Sequence, residues 1–184
     1  MVVQERATEA WRAEHEVLRR EAAQFARLAS GLSDWSVPDT PDELQRVRGF
    51  LHDRLLEHAE AEEKFLYPVM DELLGVEQFT ASMRADHEAI RYRTEELTAV
   101  IAAVDQGPAT TSQVEALREH LYGLWAIIDL HLDKEEQILF DLLDAKLTPA
   151  DVRSLHDRSL ASTGRDPGHV IAAPRRPLTH TEDD

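Results

Sequence analysis

The chain repeats one arrangement of histidine and glutamate twice, and this repeat limits the folds that it can adopt. At two places a glutamate follows a histidine by four residues, and a single histidine precedes each pair at a similar distance. The six residues are His15, His58, Glu62, His87, His131 and Glu135. Imidazoles and carboxylates repeated in one register are most simply explained by a metal site with two-fold symmetry.

The sequences around these residues repeat as well. The segment AEHEVLR at 13–19 resembles ADHEAIR at 85–91, and HAEAEEKFLY at 58–67 resembles HLDKEEQILF at 131–140. The two halves of the chain are therefore expected to form equivalent helical hairpins.

Four long segments carry apolar residues at helical spacing, and short breaks separate them. This pattern predicts an all-α, up-down-up-down four-helix bundle over residues 1–147. A short fifth helix is predicted within 148–162, and the Pro- and Gly-rich residues 163–184 are expected to form an irregular, flexible or draped tail. The predicted helices run from about Thr8 to Leu32, Pro41 to Leu74, Gln78 to Asp105, Thr111 to Leu147, and Pro149 to Leu160.

The histidine–glutamate pairs are predicted to face the core. His58 shares its stripe with Leu51, Leu55, Phe65 and Val69, whereas the stripe of His131 contains Leu124, Ile128, Ile138 and Leu142. At a rise of about 1.5 Å per residue, the helix from the first histidine of each hairpin to its loop is roughly 25–30 Å long. The helix from the loop back to the second histidine has a similar length. All six side chains are therefore expected at one level of the bundle.

Burial of two carboxylates and four imidazoles without partners is very unfavourable, and bound metal removes this cost. Two hydrogen-bonded core pairs would explain either pair alone, but they do not explain six residues in duplicate register. The chain has no cysteine, which excludes thiolate zinc sites and iron–sulfur clusters. Nitrogen and oxygen ligands favour iron, with manganese and zinc as alternatives.

Several polar residues near these motifs are not assigned to the site. Glu63 and Glu136 follow the repeated glutamates and are expected to face water, with contact to a metal-binding side chain as the alternative. Tyr67 and Tyr122 are nine residues from a repeated histidine, which places them on the opposite helix face. His156 belongs to the terminal region and is expected to be solvated.

Charge and hydropathy exclude some partners. With 36 acidic and 20 basic residues, the net charge is −16, which argues against nucleic acid and anionic membrane surfaces. No segment approaches the roughly 20 apolar residues of a membrane span, and the N-terminal segment has no apolar signal-peptide core. A cytoplasmic protein is therefore expected.

The motifs resemble those of the hemerythrin-like family, also called the HHE cation-binding domain, over roughly residues 8–147. The resemblance implies a four-helix bundle around two iron ions bridged by oxo or hydroxo and by carboxylates. In that arrangement His15 and His58 bind one iron, and His87 and His131 bind the other. The two bridging carboxylates are Glu62 and Glu135.

The chain departs from oxygen-carrying hemerythrins at two places. Those proteins carry a second histidine one turn away on the third helix, where this chain has Met83 and Arg91. They also use an aspartate five residues after the fourth-helix histidine, whereas Glu135 follows by four. Ferritin-like bundles are rejected, because they use Glu-x-x-His motifs and lone glutamates.

The leading hypothesis is a non-haem di-iron protein that binds or reacts with O₂, or with a related small molecule such as NO or peroxide. The alternative is an iron sensing, storage or delivery protein, in which the metal is the signal or cargo. A zinc-dependent hydrolase ranks below both, because the helical seam carries no polar groups to orient a substrate. The sequence does not identify a protein or redox partner.

Overall fold

The computed structural model describes residues 6–32, 40–76 and 78–162, and within these ranges every regular element is helical. The prediction of an all-α bundle with a short fifth helix is confirmed. The expected tail, residues 163–184, lies outside the described residues. No helix of the described part combines the length and apolarity needed to cross a bilayer. Three helices are continuous: α1, Glu9–Gly31; α3, Ala81–Val104; and α5, Pro149–Ser162. Helix α2 consists of the successive stretches Thr40–Phe50, Leu51–Leu55, Leu56–Ala61, Glu62–Leu66 and Tyr67–Leu74. Helix α4 consists of Thr111–Lys134, Glu135–Phe140 and Asp141–Lys146.

Local sequence signals explain where the helices begin and end. Gly75 ends α2 in the left-handed conformation, at φ 62°, which glycine adopts without steric cost. The N-cap of α4 is Thr110, one residue before the predicted Thr111 or Ser112. Its side chain accepts a hydrogen bond from the Gln113 backbone N–H while the Gln113 side chain accepts from the Thr110 backbone, forming a capping box.

The first turns of α1 and α3 are tied to neighbouring helices by the same contact. The backbone N–H and hydroxyl of Thr8 both donate to the Asp144 carboxylate of α4. Thr80 donates to Asp71 of α2 in the same way. These equivalent contacts extend the repeat of the sequence into the structure.

The four long helices form a ring in which α1 packs against α2 and α4, and α3 packs against the same two helices. Two hydrophobic clusters fill the bundle. On α1, Trp11 belongs to one cluster and Leu18 to the other, and on α3 Met83 and Ile90 are divided in the same way. The polar residues between these positions therefore lie in a layer that apolar side chains bound on both sides.

Helices α2 and α4 contain π-helical stretches that begin at Glu62 and Glu135, and α2 has another at Leu51–Leu55. The Tyr67 N–H donates to the Glu62 carbonyl, a span of five residues instead of four. A π stretch inserts one residue relative to an α-helix, and such stretches are frequent at functional sites.

The π stretches change which residues of α2 and α4 face the core, so the predicted core faces of these helices are wrong in part. Continuous α-helical spacing places Phe65, Val69, Ile138 and Leu142 in the core. Phe65, Val69 and Leu142 are only half-buried, and Ile138 is 47% exposed. The buried face is displaced by one residue because each π stretch adds one. Its members are Leu66, Tyr67, Met70, Leu139, Phe140 and Leu143.

Candidate metal centre

The structure brings the six repeated side chains together in the interior. Each helix of the bundle contributes: α1 and α3 supply one histidine each, and α2 and α4 supply one histidine and one glutamate each. None of the six is more than 4% exposed. The apolar residues that flank them on every helix explain this burial.

The nitrogen and oxygen atoms that could bind a metal form two groups that share both glutamates. His15 and His58 form one group with Glu62 and Glu135, and His87 and His131 form the other with the same two carboxylates. Within each group all ligand atoms lie within 4.8 Å of one another. Two carboxylates that lie between two histidine pairs could bridge a pair of ions.

The distances between donor atoms suit coordination. The Nε2 atoms of His15 and His58 are 3.2 Å apart, and those of His87 and His131 are 2.8 Å apart. Two ligands bound to one ion at right angles, with bonds of about 2.1 Å, would be separated by about 3 Å. Each pair of nitrogen atoms therefore has the spacing of two ligands on a common ion.

Glu62 faces both groups with different oxygens. Its Oε1 atom is 3.0 Å from His58 Nε2, and its Oε2 atom is 3.5 Å from His87 Nε2. Glu135 instead directs one oxygen, Oε2, to both groups, at 3.5 Å from both His15 Nε2 and His131 Nε2. Both carboxylates thus lie between the two histidine pairs.

The charges of the buried carboxylates favour a cation between them. Burial and the nearby charge of Glu62 raise the pKa of Glu135 to about 7, although His131 and His15 oppose this shift. Burial would also raise the pKa of Glu62, but the charge of His58 and hydrogen bonds from His15, His58 and His87 together outweigh burial and hold this pKa well below its usual value. The Oε2 atoms of both glutamates are buried without a hydrogen-bond partner. Such atoms are costly unless something charged meets them, so this donor set fits divalent cations.

Each imidazole meets a further carboxylate on its other nitrogen, Nδ1. The distances are 3.4 Å from His15 to Glu136 and 2.9 Å from His87 to Glu63. Those glutamates were expected to face water, but they are only 28% and 26% exposed. The structure instead has the alternative arrangement, because α2 and α4 lie close enough to α3 and α1 for each carboxylate to reach the histidine opposite.

His58 and His131 also have a carboxylate beside Nδ1. In each case it belongs to the residue that immediately precedes His15 or His87. His58 Nδ1 is 3.6 Å from Glu14, and His131 Nδ1 is 3.3 Å from Asp86. A carboxylate on Nδ1 fixes the orientation of an imidazole and leaves Nε2 free as a ligand, and metal-binding histidines almost always have such a partner. The repeat AEH and ADH could have revealed this pair of carboxylates from sequence.

Tyr67 also reaches the centre, although the sequence places it on the opposite helix face. Its hydroxyl donates to Glu135 Oε1 at 2.5 Å, and its oxygen lies 3.2 Å from His87 Nε2. The additional residue of the π stretch turns it back toward the face of His58. Phe140 is its counterpart in α4: Tyr67 stacks on His87 with ring centroids 5.5 Å apart, and Phe140 lies 4.8 Å from the ring of His15. Tyr122 is partly exposed, in agreement with its predicted position.

Comparison with known proteins identifies the family. The chain matches the hemerythrin HHE cation-binding domain over residues 6–143. It therefore belongs to this family of metal-binding helical bundles, as the sequence motifs predicted. Searches of curated proteins and of solved structures gave no match.

Proposed function

We propose that the six side chains hold two iron ions and that this centre binds or reacts with O₂ or a related small molecule such as NO or peroxide. The observation that carries the proposal is the sharing of Glu62 and Glu135 by two histidine pairs. His15 and His58 would bind one ion, His87 and His131 the other, and the glutamates would bridge them. Manganese and zinc are the alternatives for the same donors.

The number of donors leaves room for a further ligand. Two imidazoles and two shared carboxylates give each ion four protein ligands, whereas iron in such sites accepts up to about six. When bound, a pair of ferrous ions supplies the electrons and the open coordination positions with which such molecules react.

The protein side chains determine what reaches the ions. Trp11 and Phe140 are fully buried beside the rings of His58 and His15 respectively, and Met83 and Ile90 flank His87 on α3. This lining excludes bulk water and charged solutes, and it favours small uncharged molecules. Carboxylates lie within 3.6 Å of all four Nδ1 atoms and would limit reorganisation of the rings when the oxidation state of the metal changes.

The function is tested by loading the full chain with ferrous iron without oxygen and then admitting air. The proposal expects about two iron atoms per chain and, on exposure to air, a near-ultraviolet absorption band that the metal-free protein lacks. The variant Glu62→Ala should bind less iron and should not develop the band. A Tyr122→Phe variant, changed at a partly exposed tyrosine away from the centre, serves as the control.

Three outcomes separate the candidate functions. Wild-type protein that holds no iron and stays colourless would contradict the proposal. Iron that exchanges readily with chelators and changes only the stability of the bundle would favour the alternative role in iron sensing, storage or delivery. Tightly held iron with fast spectral change in air supports reaction with O₂.

A further inference from the structure

The four carboxylates beside the Nδ1 atoms of the histidines do not all have their second partner in the same part of the chain. Glu136 lies 3.4 Å from Arg19, and Glu63 lies 2.6 Å from Arg91. Arg19 and Arg91 follow His15 and His87 by four residues, so these two contacts repeat within the bundle. The remaining carboxylates, Glu14 and Asp86, show where the two halves differ.

Asp86 is paired inside the bundle, whereas Glu14 meets a residue of α5. The ammonium of Lys134 bonds to Asp86. In the repeated sequence, the residue equivalent to Lys134 is Ala61, which is buried and has no charge to offer. Instead His156 of α5 lies 3.8 Å from Glu14 Oε2, the same oxygen that faces His58.

Helix α5 is packed where it can support this contact. The ring of His156 meets Trp11 edge-on, with centroids 5.2 Å apart, and the Arg158 guanidinium lies 5.4 Å from the centre of the Phe65 ring. The His156 side chain is only 15% exposed. The residue expected to be solvated is therefore part of the buried surroundings of one half of the centre.

We propose that His156 is a positioning residue for the ion held by His15 and His58, and that α5 thereby sets how tightly this ion is bound relative to the other. The inference rests on the proposed function, since it requires a metal pair. His156 holds Glu14, Glu14 orients the Nδ1 side of His58, and His58 presents Nε2 to the ion. Loss of the carboxylate that contacts a metal-binding histidine weakens metal binding by about 10–100-fold, which is the upper limit for His156, one contact further from the ion.

The test uses the full chain loaded with ferrous iron without oxygen, and it measures iron loss to increasing concentrations of a chelator. For His156→Ala, one of the two iron equivalents should be bound more weakly, by no more than the roughly 10–100-fold expected for loss of Glu14 itself, while the other stays near the wild-type value. His156→Gln, which keeps a donor and most of the volume, should recover part of the loss. Asp157→Ala, at the exposed neighbouring position, should behave as wild type.

A reciprocal variant identifies the half that is affected. Lys134→Ala should weaken the other equivalent, and the double variant should weaken both. Equal weakening of both equivalents by His156→Ala would show a merely structural role and overturn the inference, as would no change in either. If His156→Ala fails to fold, as judged by helical circular dichroism, His156→Gln is compared with wild type in the same chelator titration. Weaker binding of one iron equivalent alone supports the inference, and equal or no weakening overturns it. A wild-type protein without iron would instead overturn the proposed function.

Discussion

At the scale of single residues, Tyr67 is the polar group that most clearly distinguishes the two halves of the centre. Its hydroxyl donates to Glu135, whereas its counterpart Phe140 has no hydrogen-bonding group. We predict that Tyr67→Phe keeps the fold and the iron content but shifts the absorption spectrum of the loaded protein, because Glu135 loses the donor that fixes one oxygen. The shift is measured by comparing visible and near-ultraviolet spectra of iron-loaded wild type, Tyr67→Phe and the control Tyr122→Phe. Identical spectra would show that the hydroxyl does not influence the metal.

Proton competition should make metal binding depend on pH. Burial would lower the pKa of His58, but the charges of Glu62 and Glu14 outweigh it and hold this pKa well above its usual value. The pKa of His15 is also raised, because Glu136 and Glu62 outweigh burial. These raised pKa values favour the protonated form of both rings in the metal-free protein, so an ion that binds Nε2 competes with a proton.

We predict that metal affinity rises as pH increases through these raised pKa values. Chelator competition at pH 6, 7 and 8 measures the affinity. The same shifts imply that protonation of His58 stabilises the metal-free fold at low pH and that this contribution is lost as pH rises through the raised pKa. An affinity that stays constant from pH 6 to 8 would be inconsistent with protonated rings.

At the scale of helices, the π stretches decide which side chains are buried. Leu139 is fully buried and Ile138 is 47% exposed, the reverse of what α-helical spacing predicts. We predict that Leu139→Ala lowers the free energy of unfolding by about 2–5 kcal/mol. The matched variant Ile138→Ala should cost about 0.5 kcal/mol or less. Denaturant unfolding of the metal-free proteins measures both. Comparable losses would argue for an uninterrupted α-helix.

The same stretches explain what sequence reasoning could and could not reach. Apolar spacing and caps such as Gly75 are sufficient to predict where the helices lie. The duplicated motifs are sufficient to select six residues that meet in the interior. Tyr67 was missed because nine residues of α-helix turn a side chain to the opposite face. Pro68 interrupts the hydrogen bonding of α2 and was a signal of irregularity there. No corresponding signal exists before Phe140 in α4.

At the scale of the whole molecule, metal binding and stability should be linked. A ligand that binds only the folded state at 100 times its dissociation constant adds about 2.7 kcal/mol. For a chain of this size that corresponds to a rise in Tm of about 5–10 °C for each ion. We predict that chelation lowers Tm by at least this amount, measured by thermal unfolding with and without iron. A Tm that chelation does not change would show that the buried cluster needs no cation.

The contact of α5 with Glu14 was also beyond the reach of the sequence. His156 lies outside both the repeat and residues 6–143, which match the family. Nothing in its local sequence indicates a buried partner more than a hundred residues away. Which carboxylate faces which imidazole becomes visible only when the helices are assembled.

The central claim is that four imidazoles and two shared glutamates hold two ions, and anomalous X-ray diffraction at the iron absorption edge tests it most directly. Crystals of the iron-loaded chain should show two anomalous peaks. One should lie beside Nε2 of His15 and His58, the other beside Nε2 of His87 and His131, with Glu62 and Glu135 between them. A single peak, or peaks outside this buried layer, would contradict the account.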